Sequence, residues 1–363
     1  MRAAGLDAVA VWEEGANGHN VRYLSGFYMP TTWIGGSLVL VGREGDPVLV
    51  TSAVAHGEPM HSNIQTTWLR DVRCLRTLDD GDIVQAALPV LRGWLEPGSR
   101  IGFAGFDRMP YGLRAGFEAA LADYRLSDDA GVLKAERMVK TPAEIELLRR
   151  LGRITAKGMA AAMDRAAPGV SESEIAAAAH AACVAAGAEQ MTFGCFAAAG
   201  RRGALKNVAP RPDRRVAADE LVVIDLGCKL GGYQSDMSRN VVAGRPDGMV
   251  EAMVLACQSA LAVGKEIVRP GARDIDVVEG MRGEIGRHGF SQWDWSICHG
   301  YGMELVEAPL FSGEAPRVLE EGMCFYIEPM IIPPHVGAVC IEDMVVVTKE
   351  GCEVLTDVPV AAW

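Results

Sequence analysis

Four acidic residues stand inside or at the ends of strongly apolar segments, where a carboxylate is unusual. Asp225 follows the apolar run LVVI, and Asp236 follows a glycine-rich turn in GGYQSDMSRNVV. Glu328 and Glu342 occupy similar places in MCFYIEPMII and AVCIEDMVVVT. An ionised side chain that is buried without a partner is strongly unfavourable in a low dielectric. The four carboxylates therefore indicate a site that receives positive charge from outside the chain.

Divalent metal ions supply that charge most directly, because two of them balance the four carboxylates. Oxygen ligands suit manganese, cobalt(II), zinc or iron(II). A fifth candidate ligand is His299 in WDWSICHGYG, where the following glycines leave room for a close approach. The sequence thus predicts a site for two divalent metal ions, with the ligands Asp225, Asp236, His299, Glu328 and Glu342.

An internal repeat positions these residues. The segment from Ala167 to Glu189 can be laid over the segment from Arg269 to Ser291 at a constant offset of 102 residues, which aligns Pro-Gly pairs and helix-ending glycines. The same offset carries Asp225 to within one residue of Glu328. A helix precedes each copy, and apolar runs typical of strands follow it. Two similar halves are therefore expected to present matching acids.

The region before the repeat has a different pattern. Apolar runs begin near residues 7, 36, 46 and 100, and helical patterns cover about 80–94 and 110–122, as in a small α/β domain. Thr141-Pro142-Ala143-Glu144 has the spacing of a capping box and predicts a helix that runs to about Ala166. The predicted class is α+β, with domains at 1–130 and 131–363.

The order of the five candidate ligands, in the contexts IDLG, SDMSR, HGYG, IEPM and IEDMVVVT, resembles the methionine aminopeptidase, prolidase and creatinase superfamily (peptidase family M24). The resemblance covers residues 131–363 well, and residues 1–130 are more loosely similar to the amino-terminal domain of the creatinase and prolidase branch. It implies a pita-bread fold with a pseudo-twofold repeat and two metal ions. Asp236 and Glu342 would bridge both ions, Asp225 would bind one, and His299 and Glu328 the other. Glu328 would also assist as general base.

Three positions depart from the peptidase pattern of that family. Asn207 and Val306 stand where peptidases carry histidines that contact the scissile amide and the substrate carbonyl, and Cys340 stands where prolidases tend to carry arginine. Valine can neither polarise a carbonyl nor carry a proton, and cysteine brings no fixed positive charge. Loss of one such contact typically costs about 10²- to 10³-fold in rate. The metal ligands are thus retained, while the residues that handle a peptide are replaced.

Other side chains near these segments are candidates for the missing roles. Arg201 and Arg202 are candidate clamps for a substrate carboxylate. Trp293 and Trp295 are candidate walls of a substrate pocket, and Glu304 is a candidate acid or base in place of histidine. Trp33, in YMPTTWIGG, could reach a partner's pocket if the chain forms the dimer that creatinase-type relatives form, although placement on the surface or in the core is favoured.

Four functions remain open from these residues. The favoured one is hydrolysis of an amide-type C–N bond in a small amino-acid-derived metabolite. Xaa-Pro dipeptide or aminopeptidase P activity is the first alternative, and a metal-dependent lyase like the family's sulfoniopropionate-cleaving members is the second. A binding protein without activity is the third, and retention of all five ligands argues against it.

Composition narrows the partners and the compartment. The 47 acidic and 35 basic residues give a net charge of −12, which repels nucleic acid and anionic membranes. Nine cysteines without a CxxC pair are expected to be free thiols of a reducing cytoplasm. The opening MRAAGLDAVAVW has no signal-peptide pattern, and no window is long and apolar enough for a membrane span. A small-molecule substrate and a cytoplasmic homodimer are expected.

Overall fold

The computed structural model describes most of the chain and divides it into two compact units, 1–136 and 137–363. The described residues are 1–14, 18–28, 36–51, 54–55, 58–59, 67–75, 80–205, 207–311 and 316–362. Trp33 lies outside them. The sequence-based boundary between 130 and 131 stays a prediction; it falls at the start of helix α4 (Ala130–Met138).

The first unit is built on one six-stranded sheet with the strand order β6-β3-β2-β1-β7-β8. Its strands are β1 (Ala8–Glu14), β2 (Gly36–Gly42), β3 (Val48–Thr51), β6 (Asp71–Cys74), β7 (Arg100–Ala104) and β8 (Arg125–Asp128), and the short pair β4 (Val54–Ala55) and β5 (Glu58–Pro59) stands apart. Its helices are α1 (His19–Ser25), α2 (Asp80–Trp94) and α3 (Tyr111–Ala120). These elements confirm the small α/β domain predicted from the apolar runs.

Strand β1 shows why this sheet is buried on both faces. Ala8, Ala10 and Trp12 pack into one apolar cluster, whereas Val9 and Val11 pack into a second one. Because side chains alternate between the two faces of a strand, a continuous apolar run gives every residue a buried position. The run DAVAVW therefore forms a central strand of the sheet.

The second unit begins with the predicted capping box. The Thr141 side chain accepts a hydrogen bond from the backbone N–H of Glu144, and the Glu144 carboxylate accepts one from the backbone N–H of Thr141. The helix they start, α5 (Pro142–Arg165), confirms the predicted span. The other helices are α6 (Glu172–Ala185), α7 (Gly248–Ile267) and α8 (Asp274–Arg287).

The strands of this unit form two four-stranded sheets and smaller ribbons. One sheet has the order β10 (Phe196–Ala199), β11 (Leu221–Leu226), β14 (Met237–Val242) and β21 (Ala361–Ala362). The other has the order β15 (Ile297–Gly300), β16 (Cys324–Glu328), β19 (Asp343–Val347) and β20 (Cys352–Val354). The ribbons contain β9 (Gln190–Met191), β12 (Cys228–Leu230), β13 (Tyr233–Gln234), β17 (Met330–Ile331) and β18 (Val339–Cys340).

The predicted internal repeat is visible in the helices. Helices α6 and α8 both have 14 residues, and both of their ends are related by the predicted offset of 102. Before each helix a glycine turns the chain at positive φ, Gly169 at 85° and Gly271 at 89°. Their N–H groups donate to Val216 and Leu319, respectively, at the matching point of each half. The structure thus confirms a mixed α/β chain with a two-fold repeated second unit.

Two further sequence-based expectations bear on the chain as a whole. The described residues include all nine cysteines, and none of the nine forms a disulfide. Among the helices described, none has the length and apolarity needed to cross a membrane.

Candidate metal centre

The repeat places Asp225 and Glu328 at matching points of the two sheets. Asp225 lies on β11 opposite Phe196 of the edge strand β10. Glu328 ends β16 and lies opposite Ile297 of the edge strand β15. Both carboxylates are almost fully buried, with 4% and 2% of their surface exposed. The antiparallel pairing in each half therefore gives one buried acid the same place relative to its edge strand.

Asp236 and Glu342 form the second matched pair, since each immediately precedes a strand that pairs with the central strand of its sheet. Their segments are tied together across the repeat: the backbone N–H of Glu342 donates to the Ser238 carbonyl at 3.0 Å. The Arg239 guanidinium also donates to the Glu342 carbonyl, at 2.7 Å. These contacts hold the segments that carry the two acids together.

The five predicted ligands come together as two overlapping groups. In each group the donor atoms lie within 4.8 Å of one another, and the groups are Asp236 with His299 and Glu342, and Asp225 with Glu328 and Glu342. Burial raises the pKa of Asp236 well above its usual range, and the negative charges of Glu342, Asp225 and Glu328 raise it further. Four buried carboxylates and one imidazole form a donor set that fits divalent ions of the first transition row.

His299 breaks the symmetry of the site. It lies on β15 opposite Tyr326, and the two rings meet edge to face with centroids 4.8 Å apart. In the chain, His299 comes two residues after Ile297, the residue that pairs with Glu328. The position two residues after the partner of Asp225 is Ala198, which lies opposite Val223. The imidazole is therefore supplied by the second half alone.

A buried ion cluster fixes the loop that follows His299. The Glu307 carboxylate accepts from Lys140, at 2.9 Å, and from Arg137, and the same guanidinium reaches Glu304 at 3.1 Å. Burial alone would raise the pKa of Glu307, but Lys140 and Arg137 more than compensate and lower it. The backbone N–H of Glu307 donates to the Gly300 carbonyl, which ties the cluster to the His299 strand.

A second ion cluster supports the end of the site that holds Glu342. Asp343 accepts from Arg239 at 2.5 Å and from Lys265 at 2.6 Å, and Arg239 is among the largest fully buried side chains. Burial opposes ionisation, but the two cations outweigh it and hold the pKa of Asp343 below its usual range. The ion pair of Arg239 and Asp343 was not identified from the sequence, although SDMSR and IEDM place these two residues close to predicted ligands.

The two candidate arginines have different surroundings. The Arg202 guanidinium donates to the fully buried carboxylate of Glu172 at 3.0 Å, and to the Ala209 carbonyl. Arg201 is exposed, and its Nε donates to the His335 carbonyl at 3.1 Å. Asn207 is exposed further along the same segment. The loop that carries the arginines and Asn207 is therefore fastened through Glu172.

The remaining substrate candidates differ in exposure. Trp293 is half-buried and its ring packs edge-on against His335, whereas Trp295 is 63% exposed. Val306 is 54% exposed. Cys340 is fully buried, with its sulfur 3.2 Å from Oε1 of Glu328. Cys340 thus lies against a predicted metal ligand, and Val306 lies at the surface of the loop after His299.

Comparison with known proteins agrees with the fold. Residues 146–349 match the metallopeptidase family M24, and residues 1–139 match the creatinase/prolidase N-terminal domain. A Xaa-Pro dipeptidase of Pyrococcus horikoshii is 32% identical over 68% of this chain and 71% of its own length. An uncharacterized peptidase of Bacillus subtilis is 27% identical over 94% of this chain and 92% of its own.

Solved structures give the same result over the whole chain. The crystal structure of an X-Pro aminopeptidase from Thermotoga maritima superposes with a TM-score of 0.86 and 25% identity, covering 100% of this chain and 98% of the other. The prolidase of Pyrococcus horikoshii superposes with a TM-score of 0.85 and 26% identity, covering 99% and 96%. The chain belongs to the metallopeptidase family M24 and is a metal-dependent hydrolase of that family.

Proposed function

We propose that this protein hydrolyses an amide-type C–N bond in a small amino-acid-derived molecule, with two divalent ions bound at the candidate metal centre. The observation that carries the proposal is the pair of overlapping donor groups that share Glu342. A shared carboxylate between two groups supports a two-ion site rather than a single one. Manganese, cobalt, zinc and iron all suit the donor set.

Each of the five side chains has a proposed role. By the family resemblance, Asp236 and Glu342 would be shared by the two ions, Asp225 would hold one ion, and His299 and Glu328 would hold the other. In this structure a Glu328 carboxylate oxygen also lies within 4.8 Å of one from Asp225. Divalent ions in such a site lower the pKa of bound water and polarise a carbonyl oxygen. Glu328 is proposed as the general base that would accept a proton from the attacking water, because it is a buried carboxylate within one of the donor groups.

The residues around the candidate metal centre differ from those of the family's peptidases at three positions. Asn207, Val306 and Cys340 replace two histidines and an arginine of the peptidase pattern, so carbonyl polarisation falls to the metal ions and to other groups. Arg201 is kept as a candidate for a substrate carboxylate, because it is exposed. Arg202 is assigned instead to holding its loop, because its guanidinium is paired with Glu172.

Three more side chains have proposed places at the substrate. Trp295 is proposed as the exposed wall of the pocket, and Trp293 as its supporting wall. Glu304 is proposed as an acid or base, and its carboxylate accepts from the Arg137 guanidinium at 3.1 Å. Alanine variants of Trp295 and Glu304 should raise KM and lower kcat, respectively; unchanged kinetics would remove each from the site.

Xaa-Pro dipeptide hydrolysis is the second candidate, because the similar curated proteins and solved structures include Xaa-Pro dipeptidases and prolidases. The test is a matched substrate panel with manganese or cobalt present. Xaa-Pro dipeptides form one arm, and N-acyl amino acids and amino-acid amides form the other. We expect faster turnover in the second arm. Turnover of dipeptides at ordinary enzyme rates, about 1–10³ per second, would establish the dipeptidase instead.

Metal analysis of the purified protein tests the centre itself. We expect close to two divalent ions per chain after expression with added metal. A substoichiometric content that stays low on reconstitution would contradict the metal centre. Elimination products without water addition in the panel would point to a lyase.

The assembly and compartment are proposed from the free cysteines and from the family resemblance. We infer a cytoplasmic homodimer, because the cysteines form no disulfides and creatinase-type relatives are dimers. Light scattering coupled to size-exclusion chromatography should give twice the 38.8 kDa chain mass. A mass of one chain would contradict the dimer.

A further inference from the structure

The thiol of Cys340 lies directly against the proposed general base. Its S–H donates to Oε1 of Glu328 at 3.2 Å, and both side chains are buried, with 0% and 2% of their surface exposed. In the family pattern this position tends to carry arginine. A thiol is a weak and neutral donor, whereas a guanidinium is a strong and permanently charged one. This chain therefore contacts the carboxylate without neutralising it.

The backbone around Cys340 is held from the other half of the repeat. The Cys340 backbone N–H donates to Oδ1 of Asn240 at 3.0 Å, and the Asn240 amide donates to the Ala338 carbonyl at 3.0 Å. Cys340 also pairs with Met330, two residues after Glu328. These contacts fix the β18 backbone beside the Glu328 segment, so the thiol is held there by the fold.

The surroundings of the thiol are apolar. Ala198, Val223, Met330 and Ala338 form a small buried cluster with Cys340. Burial of a neutral donor there costs less desolvation free energy than burial of a permanent charge. The cluster therefore suits a neutral donor such as the cysteine thiol.

The thiol is placed as a partner of the ligand rather than as a ligand. The donor groups found among the described residues contain Glu328 with Asp225 and Glu342, and neither group includes the sulfur of Cys340. Partners behind a ligand orient it and tune the metal site. We infer that Cys340 is a positioning residue that orients the Glu328 carboxylate for metal binding; this inference rests on the proposed metal centre.

Titration of the metal-free protein with cobalt(II), followed by calorimetry and by visible absorption, tests the role of Cys340. We expect Cys340→Ala to weaken cobalt affinity by about 10- to 100-fold, because the orienting donor is lost. Cys340→Ser keeps a hydroxyl donor and should restore most of the affinity. Cys183→Ala is the matched control, because Cys183 is an equally buried thiol on α6, and it should bind cobalt like the parent protein.

The outcomes separate this inference from the proposed function. If the parent protein binds no cobalt, the metal centre and this inference both fail. If the parent binds cobalt and Cys340→Ala binds it equally well, only the positioning role fails. A sulfur-to-cobalt charge-transfer band that disappears in Cys340→Ser would show a direct sulfur ligand and overturn the positioning role. If Cys340→Ala does not fold, the comparison of Cys340→Ser with the parent decides, and weak binding by a folded serine variant would contradict a role as hydrogen-bond donor.

Discussion

The two halves of the second unit share a scaffold but differ in what they attach to it. Helices α6 and α8 begin on buried acids, Glu172 and Asp274, at equivalent positions. The central strands carry Asp225 and Glu328 in the same register relation to their edge strands. Repetition of one structural unit therefore explains why four carboxylates face each other, since each half supplies two.

The differences between the halves lie in the groups that complete the site. The second half supplies His299 where the first half has Ala198. It also carries Asp343 where the matching residue of the first half is Met237. Glu172 pairs with the Arg202 side chain, whereas Asp274 accepts from the backbone N–H of Arg317. The shared features thus build the acidic centre, and the unshared ones make its two sides chemically different.

The largest expected effect separates the matched acids Glu328 and Asp225. With metal saturating, Glu328→Gln should lower kcat by about 10²- to 10⁴-fold, because a general base is lost. Asp225→Asn should lose activity because it binds metal less completely, and it should regain part of that activity as the metal concentration is raised. Steady-state kinetics over a metal series, with metal content as control, measures both. Equal losses at saturating metal would show that the halves are functionally equivalent.

The next effect concerns Asp343, which the first half does not match. Asp343→Asn should lower the free energy of unfolding by about 3–5 kcal/mol at neutral pH, because it leaves Arg239 and Lys265 short of a buried partner. The folded pKa of Asp343 lies below that of the unfolded chain. Its stabilisation is thus complete above about pH 4 and is lost as the pH falls through the folded value.

Urea unfolding from pH 7 downward measures this difference between parent and Asp343→Asn. The difference in the free energy of unfolding between the two proteins should shrink as the pH falls below about 4. A gap that is constant with pH would contradict the role of the ionised carboxylate. Exposed Asp213→Asn is the matched control and should leave the curve nearly unchanged, since Asp213 is an exposed residue.

A smaller effect compares the buried acids that begin α6 and α8. Glu172→Gln should cost about 3 kcal/mol, because Arg202 loses its buried partner. Asp274→Asn should cost about 1–2 kcal/mol, because its contacts are hydrogen bonds from the backbone N–H groups of Arg317 and Ile275. Urea midpoints of the two variants give the order. A greater loss for Asp274→Asn would reverse this comparison.

The smallest effect concerns the caps of the same two helices. Ser171 caps α6 with a complete capping box, whereas the equivalent Arg273 makes no side-chain cap on α8. Ser171→Ala should cost about 1 kcal/mol. Arg273→Ala should leave the melting temperature nearly unchanged. Calorimetry checks both, and equal shifts would show that the cap contributes nothing measurable.

The parts of the fold that follow local rules were predictable from the sequence. The capping box at Thr141 marked the start of α5, and the Pro-Gly turns at matched positions marked the repeat. The residue types of the candidate metal centre were also predictable, because a carboxylate inside an apolar strand is costly unless a cation accompanies it. The small α/β domain followed from its continuous apolar runs.

The partners of those residues were not predictable, because they come from distant parts of the chain. Lys140 and Glu307 are separated by 167 residues, and Arg239 and Asp343 by 104. Arg202 looked free to bind a substrate in the sequence, and only packing of α6 against its loop gave it Glu172. No local sequence pattern shows which strands will pair with each other.

The sequence by itself predicted which five side chains come together in the candidate metal centre and that two similar halves supply them. Those features are written in residue type, periodicity and capping, which act over a few residues. The tertiary structure alone decided that Cys340 lies against Glu328, that Arg137 and Lys140 secure the His299 loop through Glu307, and that His299 stands on one side only. The contacts of Glu328 and Glu307 join residues that lie between 12 and 170 positions apart in the chain, so only folding brings them together.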